Sequence, residues 1–367
     1  AFSDILGNHQ IQFGTEMVLT LEDSDYFLSY GYLKNKTDYY FVGFQTADFF
    51  QAGYYSLGRL RHYGLQSYIS HPFSRFQRID FGLTWHNISY DILDRVINTF
   101  TGQEELLKRP GSIKFTTVLP TMSWVIDNSV FGITGPIDGY RQNASITASP
   151  GWKNNFSFQT MKFDARKYWR VGRDYTFALR GFFGRSQGNK AQKFFLGGTP
   201  YLLTDFQSGE TNGVKDPSIY RSVLTDTANS NIITDVYFTE YAFPMRGARF
   251  AERIGTNAAL FNFEIRFPFI NYLALGFPLK LVLGNIRGHA FMDVGAAWDN
   301  HSEFSSNIWP DKYGPNNSGN FSPWVVTSGI GVKINLGYFL LRIESAWDKN
   351  PSGYSKPQWY LSLGPDW

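Results

Sequence analysis

Apolar and polar residues alternate with a period of two along almost the whole chain, and large aromatics dominate the apolar half. Phe261-Asn262-Phe263-Glu264-Ile265-Arg266-Phe267 shows it most cleanly: Phe, Phe, Ile and Phe take one side, Asn, Glu and Arg the other. Successive side chains of a strand point to opposite faces, so this pattern specifies strands with one greasy and one polar face. The same alternation marks Gln10–Leu21, Tyr26–Leu33, Tyr39–Thr46, Gly58–Ile69, Arg78–Tyr90, Ile113–Ile126 and Tyr140–Ser149. It continues through Phe156–Arg170, Tyr175–Gly184, Ala258–Phe269, Leu283–Trp298, Trp324–Asn335, Phe339–Trp347 and Trp359–Trp367. These are fourteen strands, with no convincing helix between them.

A soluble sandwich also alternates, but rarely with such bulky aromatics on successive outer positions. Aromatic residues make up 18% of the 367 residues and charged residues also 18%. A typical globular domain carries about 25% charged residues. Many aromatics and few charges fit a barrel whose outer face meets lipid and whose inner face is polar. No run approaches the roughly 20 apolar residues of a membrane helix; Tyr272–Leu283 comes nearest and is broken by Pro278 and Lys280. Lipid offers the backbone no hydrogen-bond partner, so a chain like this crosses a membrane only as a closed barrel.

The connections alternate in length. Lys34–Thr37, His71–Ser74, Gly172–Asp174 and Asn335–Tyr338 are tight and rich in turn formers. Between them lie the longer polar loops Thr101–Gly111, Ser186–Arg253, Asp299–Pro323 and Asp348–Pro357. Short turns at one end and long loops at the other are characteristic of outer-membrane barrels. Asp127–Asp138 is the longest connection on the short side. The domain reading is one barrel over residues 1–367, with residues 186–253 as an enlarged loop in the lumen or outside. Ala1-Phe2-Ser3-Asp4 reads as the tail of a strand, and no secretion signal stands at Ala1. The expectation is therefore an N-terminally incomplete barrel with sixteen strands when whole, since even numbers are usual.

Absences narrow the chemistry. The chain has no cysteine, which removes disulfides, thiolate metal sites and cysteine nucleophiles. A net charge of +3 gives no support for nucleic acid as a partner. The six histidines are scattered without ligand spacing, and His289 reads as a lumen residue. There is no Gly-x-Ser-x-Gly elbow, Walker loop or His-Glu-x-x-His. The reading is of a non-enzyme without catalytic residues, cofactor or metal.

One constellation stands out. The enlarged loop carries Met245-Arg246-Gly247-Ala248-Arg249-Phe250. On the strand after it, Glu264 and Arg266 belong to the polar face; on the next, Arg287, His289, Phe291, Asp293 and Gly295 share one face. If the loop tucks inward, Arg246 reaches Asp293 and Glu264, and a guanidinium fork suits a carboxylate as an ammonium does not. Gly247 would let the backbone turn sharply against the wall. The residues alone leave a second reading open, an exposed arginine with the two acids in unrelated lumen pairs.

Met245–Phe250 resembles the Arg-Gly-Tyr/Phe motif on the inward-folded sixth extracellular loop of the BamA-type barrel superfamily, also known as bacterial surface antigen barrels. Phe291-Met292-Asp293-Val294-Gly295-Ala296-Ala297-Trp298-Asp299 resembles its Phe-x-Asp-x-Gly-x-x-Trp-Asp motif, and Ala259–Ile270 the strand between. Asp127-Asn128 through Phe131 to Gly135 and Gly139 resembles the family's Asp-rich periplasmic turn. The C-terminal run Leu363-Gly364-Pro365-Asp366-Trp367, with Trp359 and Leu361 before it, resembles the signal by which barrels are recognised for insertion. For Trp359 and Trp367 an interfacial aromatic belt is the plainer reading.

The resemblance implies a lumen latch of Arg246, Gly247, Glu264, Phe291 and Asp293, in which Phe291 and Asp293 receive the arginine. It implies the bacterial outer membrane as location and help in inserting or translocating proteins as function. Outer-membrane lipid, unfolded outer-membrane client proteins, and a periplasmic domain or partner subunits are the implied partners. The alternatives are a non-catalytic barrel that anchors a periplasmic domain or joins a larger complex, and, further off, a diffusion porin. Two departures stand out. The family's Gly-Gly pair sits a few residues before Arg-Gly, whereas here Thr199–Met245 separates Gly197-Gly198 from Arg246, which resembles a subgroup with an enlarged loop, some of whose members carry a TolB-like periplasmic propeller. The family's periplasmic POTRA modules are also missing from this sequence.

Overall fold

The computed structural model describes residues 2–16, 23–51, 56–97, 104–151, 157–199, 202–207, 239–242, 244–248, 252–276, 281–301, 323–337, 339–350 and 353–364. In chain order the strands are β1 (Phe2–Ser3), β2 (His9–Glu16), β3 (Asp25–Tyr32), β4 (Asp38–Gln51), β5 (Ser56–Pro72), β6 (Gln77–Ile97), β7 (Glu104–Lys108) and β8 (Ile113–Asp127). They continue as β9 (Val130–Gly132), β10 (Gly135–Pro150), β11 (Ser157–Val171), β12 (Tyr175–Gly188), β13 (Lys193–Leu196), β14 (Leu202–Gln207), β15 (Thr239–Ala242) and β16 (Arg253–Gly255). The last are β17 (Asn257–Leu275), β18 (Leu281–Trp298), β19 (Trp324–Asn335), β20 (Leu340–Asn350), β21 (Gly353–Tyr354) and β22 (Gln358–Leu363). Each of the fourteen segments marked by alternation contains a long strand, and no helix among the described residues is long and apolar enough to cross a membrane.

The wall is antiparallel and runs nearly in chain order: β1, β2, β3, β4, β5, β6, β8, β10, β11, β12, β17, β18, β19, β20, β22. Short β7, β9 and β21 extend hairpins at the wall's ends. Such up-and-down order needs only hairpin connections, which is what the alternating short and long loops supply.

The two faces differ as the period-two pattern requires. Phe81, Leu83, Trp85, Met122, Trp124, Phe163, Phe261 and Met292 are exposed on the outer face. In water so broad an apolar surface would be anomalous; against hydrocarbon it is the stable arrangement. On the inner face Asn262, Glu264, His289, Asp293, Lys333, Arg342 and Glu344 are almost wholly buried.

Two connections fold inward. The turn between β8 and β10 carries the β9–β10 hairpin, and Asn335 at the end of β19 donates to the Ile133 carbonyl at 2.7 Å. β10 and β19 lie five strands apart in the wall, about 24 Å in a flat sheet. The contact therefore needs a wall that curls and a turn that folds under it. The long connection after β12 is the other. Its β13 pairs in parallel with β15 and antiparallel with β16, forming a small sheet that packs against the wall.

A third contact departs from chain order. β14, from the enlarged loop, pairs antiparallel with the outer edge of β22, with Asp205 opposite Tyr360 and Phe206 opposite Trp359. The last wall strand thus has β20 on one edge and a loop strand on the other.

Candidate functional site

The parallel pairing of β13 and β15 holds the two ends of the long insertion together. The insertion leaves and returns side by side, and Gly198 and Met245 exchange backbone hydrogen bonds at 3.2 and 2.9 Å. Gly197-Gly198, distant from Arg246 in sequence, is thereby brought beside it. Phe194, Leu196, Ala242, Met245 and Ala248 then pack on Phe182, Ala258, Leu260, Ala297 and Val325 of the wall. This apolar contact seats the loop at the long-loop end. Gly295 makes the close approach possible, because a Cβ there would lie 3.0 Å from Leu196 and 3.1 Å from the Met245 sulfur.

Below that contact Arg246 enters the lumen with no exposure to solvent. Its Nε and Nη2 donate to the two oxygens of Asp293 at 3.0 and 2.9 Å, and its backbone N–H adds a third bond to the same carboxylate at 3.0 Å. Nη1 donates to Glu264 at 2.7 Å and, at 3.4 Å, to Glu344. The guanidinium carbon lies 3.6 Å from the centre of the Phe291 ring. Planar stacking on one side and a bidentate fork on the other are what arginine provides and lysine lacks. Gly247 follows with φ +87, and a Cβ there would meet Ala346 at 3.0 Å, so both backbone conformation and space favour glycine.

The acids are held in turn. Asn262 donates to Asp293 at 2.9 Å and to the Pro244 carbonyl at 2.7 Å, tying wall, acid and loop together. Glu264 accepts from Arg266 at 2.6 Å and Lys333 at 2.5 Å besides Arg246. His289 hydrogen-bonds Glu344 at 2.9 Å and stacks on Phe291. Taking one ion out of water costs several kcal/mol, and only a network this well paired offsets it.

All five residues named for the latch meet here. Glu344, Lys333, Asn262 and His289 complete the cluster, and the sequence reading had not placed them in it. Alternation held the signal: Lys333 and Glu344 take the polar positions of alternating strands, as in Leu341-Arg342-Ile343-Glu344, on the face shared with Arg246's partners.

At the rim the Trp-Asp end of β18 forms a second, wetter tie. Asp299 accepts Lys193 Nζ on both oxygens at 2.8 Å and the Thr256 N–H at 2.8 Å. Burial pushes the Asp299 carboxyl up, but the Lys193 ammonium and the Thr256 N–H outweigh it and hold the pKa below the ordinary aspartate value. Of the C-terminal residues, Trp359 faces outward and is exposed, Leu361 and Leu363 are half-buried, and the Gly364 N–H donates to the Leu340 carbonyl at 2.9 Å. Trp367 lies outside the described residues.

The Omp85 superfamily domain matches residues 26–367. Among solved structures, BamA from Haemophilus ducreyi lacking POTRA domains 1-3 matches with a TM-score of 0.57 at 12% identity, over 93% of this chain and 62% of that one. CdiB from Escherichia coli gives 0.48 at 12% identity, over 99% of this chain and 58% of that one. CdiB from Acinetobacter baumannii gives 0.45 at 11%, over 93% and 49%. The chain thus spans less than two thirds of the length of these relatives. At such identities the BamA likeness speaks for the fold. No curated protein matches.

Proposed function

The chain belongs to the Omp85 superfamily, and from that premise we propose that it assists the insertion or translocation of proteins at the outer membrane. It is a β-barrel domain of the bacterial outer membrane. The loop from residue 186 to 253 serves as a lumen plug, latched by Arg246 on Asp293, Glu264 and Phe291. The working edge is that of β22. Clients are unfolded outer-membrane proteins, added as strands, and a periplasmic domain or partner subunit delivers them.

The observation that carries this reading is the β14–β22 pairing. The edge of the last wall strand holds an extended segment that is not its neighbour in sequence, in antiparallel register from Leu202 opposite Ser362 to Gln207 opposite Gln358. Main-chain hydrogen bonds supply the affinity in strand addition, so an edge that takes one such segment is suited to taking another.

The chain has no cysteine, so a pair introduced as Asp205→Cys and Tyr360→Cys forms a unique crosslink between opposed positions. In the full-length protein, oxidation should stop assembly of newly made outer-membrane proteins, and reduction should restore it. Normal assembly with the crosslink complete would overturn the reading and favour a structural subunit.

A further inference from the structure

Arg266 takes part in two contacts, one on its own strand and one on the turn between β8 and β10. Its Nε donates to Glu264 Oε1, the carboxylate whose other oxygen receives Arg246. Its Nη1 donates to the Pro136 carbonyl at 2.6 Å, in the periplasmic turn between β8 and β10. A continuous line of buried, charge-assisted bonds therefore runs from the extracellular loop to the periplasmic turn: Arg246, Glu264, Arg266, Pro136. We propose that Glu264 and Arg266 couple the seating of the loop to the seating of this turn, with Arg266 as the positioning residue.

Glu264 is fully buried and shares its two oxygens among Arg246, Arg266 and Lys333. Glu264 is shut off from bulk solvent, so on losing a cation its carboxylate must re-centre on the partners that remain. Arg266's guanidinium is planar, with Nε on Glu264 and Nη1 on the turn. It cannot follow a rotated carboxylate without moving Nη1 off the Pro136 carbonyl. Among the described residues the turn has a further tether to the far wall, Asn335 to the Ile133 carbonyl, which bypasses Glu264. That gives an internal control.

Linkage makes the coupling reciprocal. Hydrogen exchange on the full chain in bilayers reads it at both ends. The loop reporters are the amides of Gly198, Met245, Arg246 and Ala248, and the turn reporters are those of Asn128, Ser129, Gly139 and Tyr140. Arg246→Lys keeps the charge but loses the fork. It should speed exchange of the turn amides by about 5-fold or more. Arg266→Gln should do the same to the loop amides, whereas Asn335→Ala should speed only the turn. If Arg246→Lys frees the loop and leaves the turn at wild-type rates, the proposal is overturned. If Arg266→Gln does not fold, Arg246→Lys and Asn335→Ala decide it. Exchange does not depend on client insertion, so failure here is separate from failure of the proposed function.

Discussion

The lumen face of the late wall, β17 to β20, and that of the early wall, β4 to β6, solve the same problem in opposite ways. The late wall is charged and dry: Arg246, Glu264, Asp293, His289, Lys333 and Glu344 are buried against one another. The early wall carries fewer buried charges: Tyr40, Val42, Gln66, Tyr68 and Ser70 line a cavity of about 530 Å³ flanked by Asp38 and Arg78, Asp80 is buried against Ser70 and Arg78, and Leu60, Ile88 and Tyr90 pack in an apolar cluster. There hydroxyls and amides tolerate one another, and Asp80 finds Ser70 and Arg78 within the wall itself, so no loop residue is needed. Three carboxylates buried together need cations beside them, and the loop supplies Arg246, which reaches all three. The comparison teaches that the plug is specified by charges on one side of the barrel rather than by filling of the whole lumen.

Removing that partner should break the contrast most strongly. Arg246→Ala leaves Asp293 and Glu264 buried with fewer cations, a change that costs about 3–5 kcal/mol. The late wall should admit water and the loop should come loose. Protease cleavage within the enlarged loop should accelerate, and steady conductance in planar bilayers should rise, while the barrel still resists heat in detergent. Unchanged proteolysis would rule out the latch. Asp293→Asn keeps the shape but not the charge, and Glu264 remains to hold the arginine. It should copy part of the effect, about 2 kcal/mol. On the early wall, Gln66→Ala should change loop cleavage by a factor equivalent to under about 0.5 kcal/mol. An effect there as large as that of Asp293→Asn would mean that both walls carry the plug.

How much of this was legible in the sequence follows from the same physics. The period of two identified every long wall strand and placed Glu264, Arg266, His289 and Asp293 inward, because a side-chain direction depends only on local geometry. The Arg246 contacts with Asp293 and Glu264 were expected from a loop motif and two facing strands. Glu344 and Lys333 were not, although their strands alternate as clearly. Which inward charges meet depends on register across β18, β19 and β20, with His289 opposite Gly331 and Gly331 opposite Glu344, and register is not a local property. Pairing of β14 with β22 and the inward fold of the 127–139 turn are likewise long-range. The turn's unusual length on the short-loop side was the visible trace of the second.

The rim sharpens the comparison at its weakest point. Lys193 and Asp299 hold the same loop as Arg246 does, but in contact with solvent, where screening limits an ion pair to under about 1 kcal/mol. Asp299 has its pKa depressed in the folded protein. Its contribution is therefore fully present above the unfolded aspartate value of about 3.9 and is lost as pH falls through the lower folded value. Loop cleavage in the wild type should rise slightly as pH is taken below about 4 with an acid-active protease. Asp299→Asn should show that slightly faster cleavage already at neutral pH, with the extra acid-induced step gone. The opposite sign, a loop that tightens on acidification, would mean that the rim carboxylate repels rather than holds. A step as large as that of Arg246→Ala would move the main anchor of the loop from the dry wall to the wet rim.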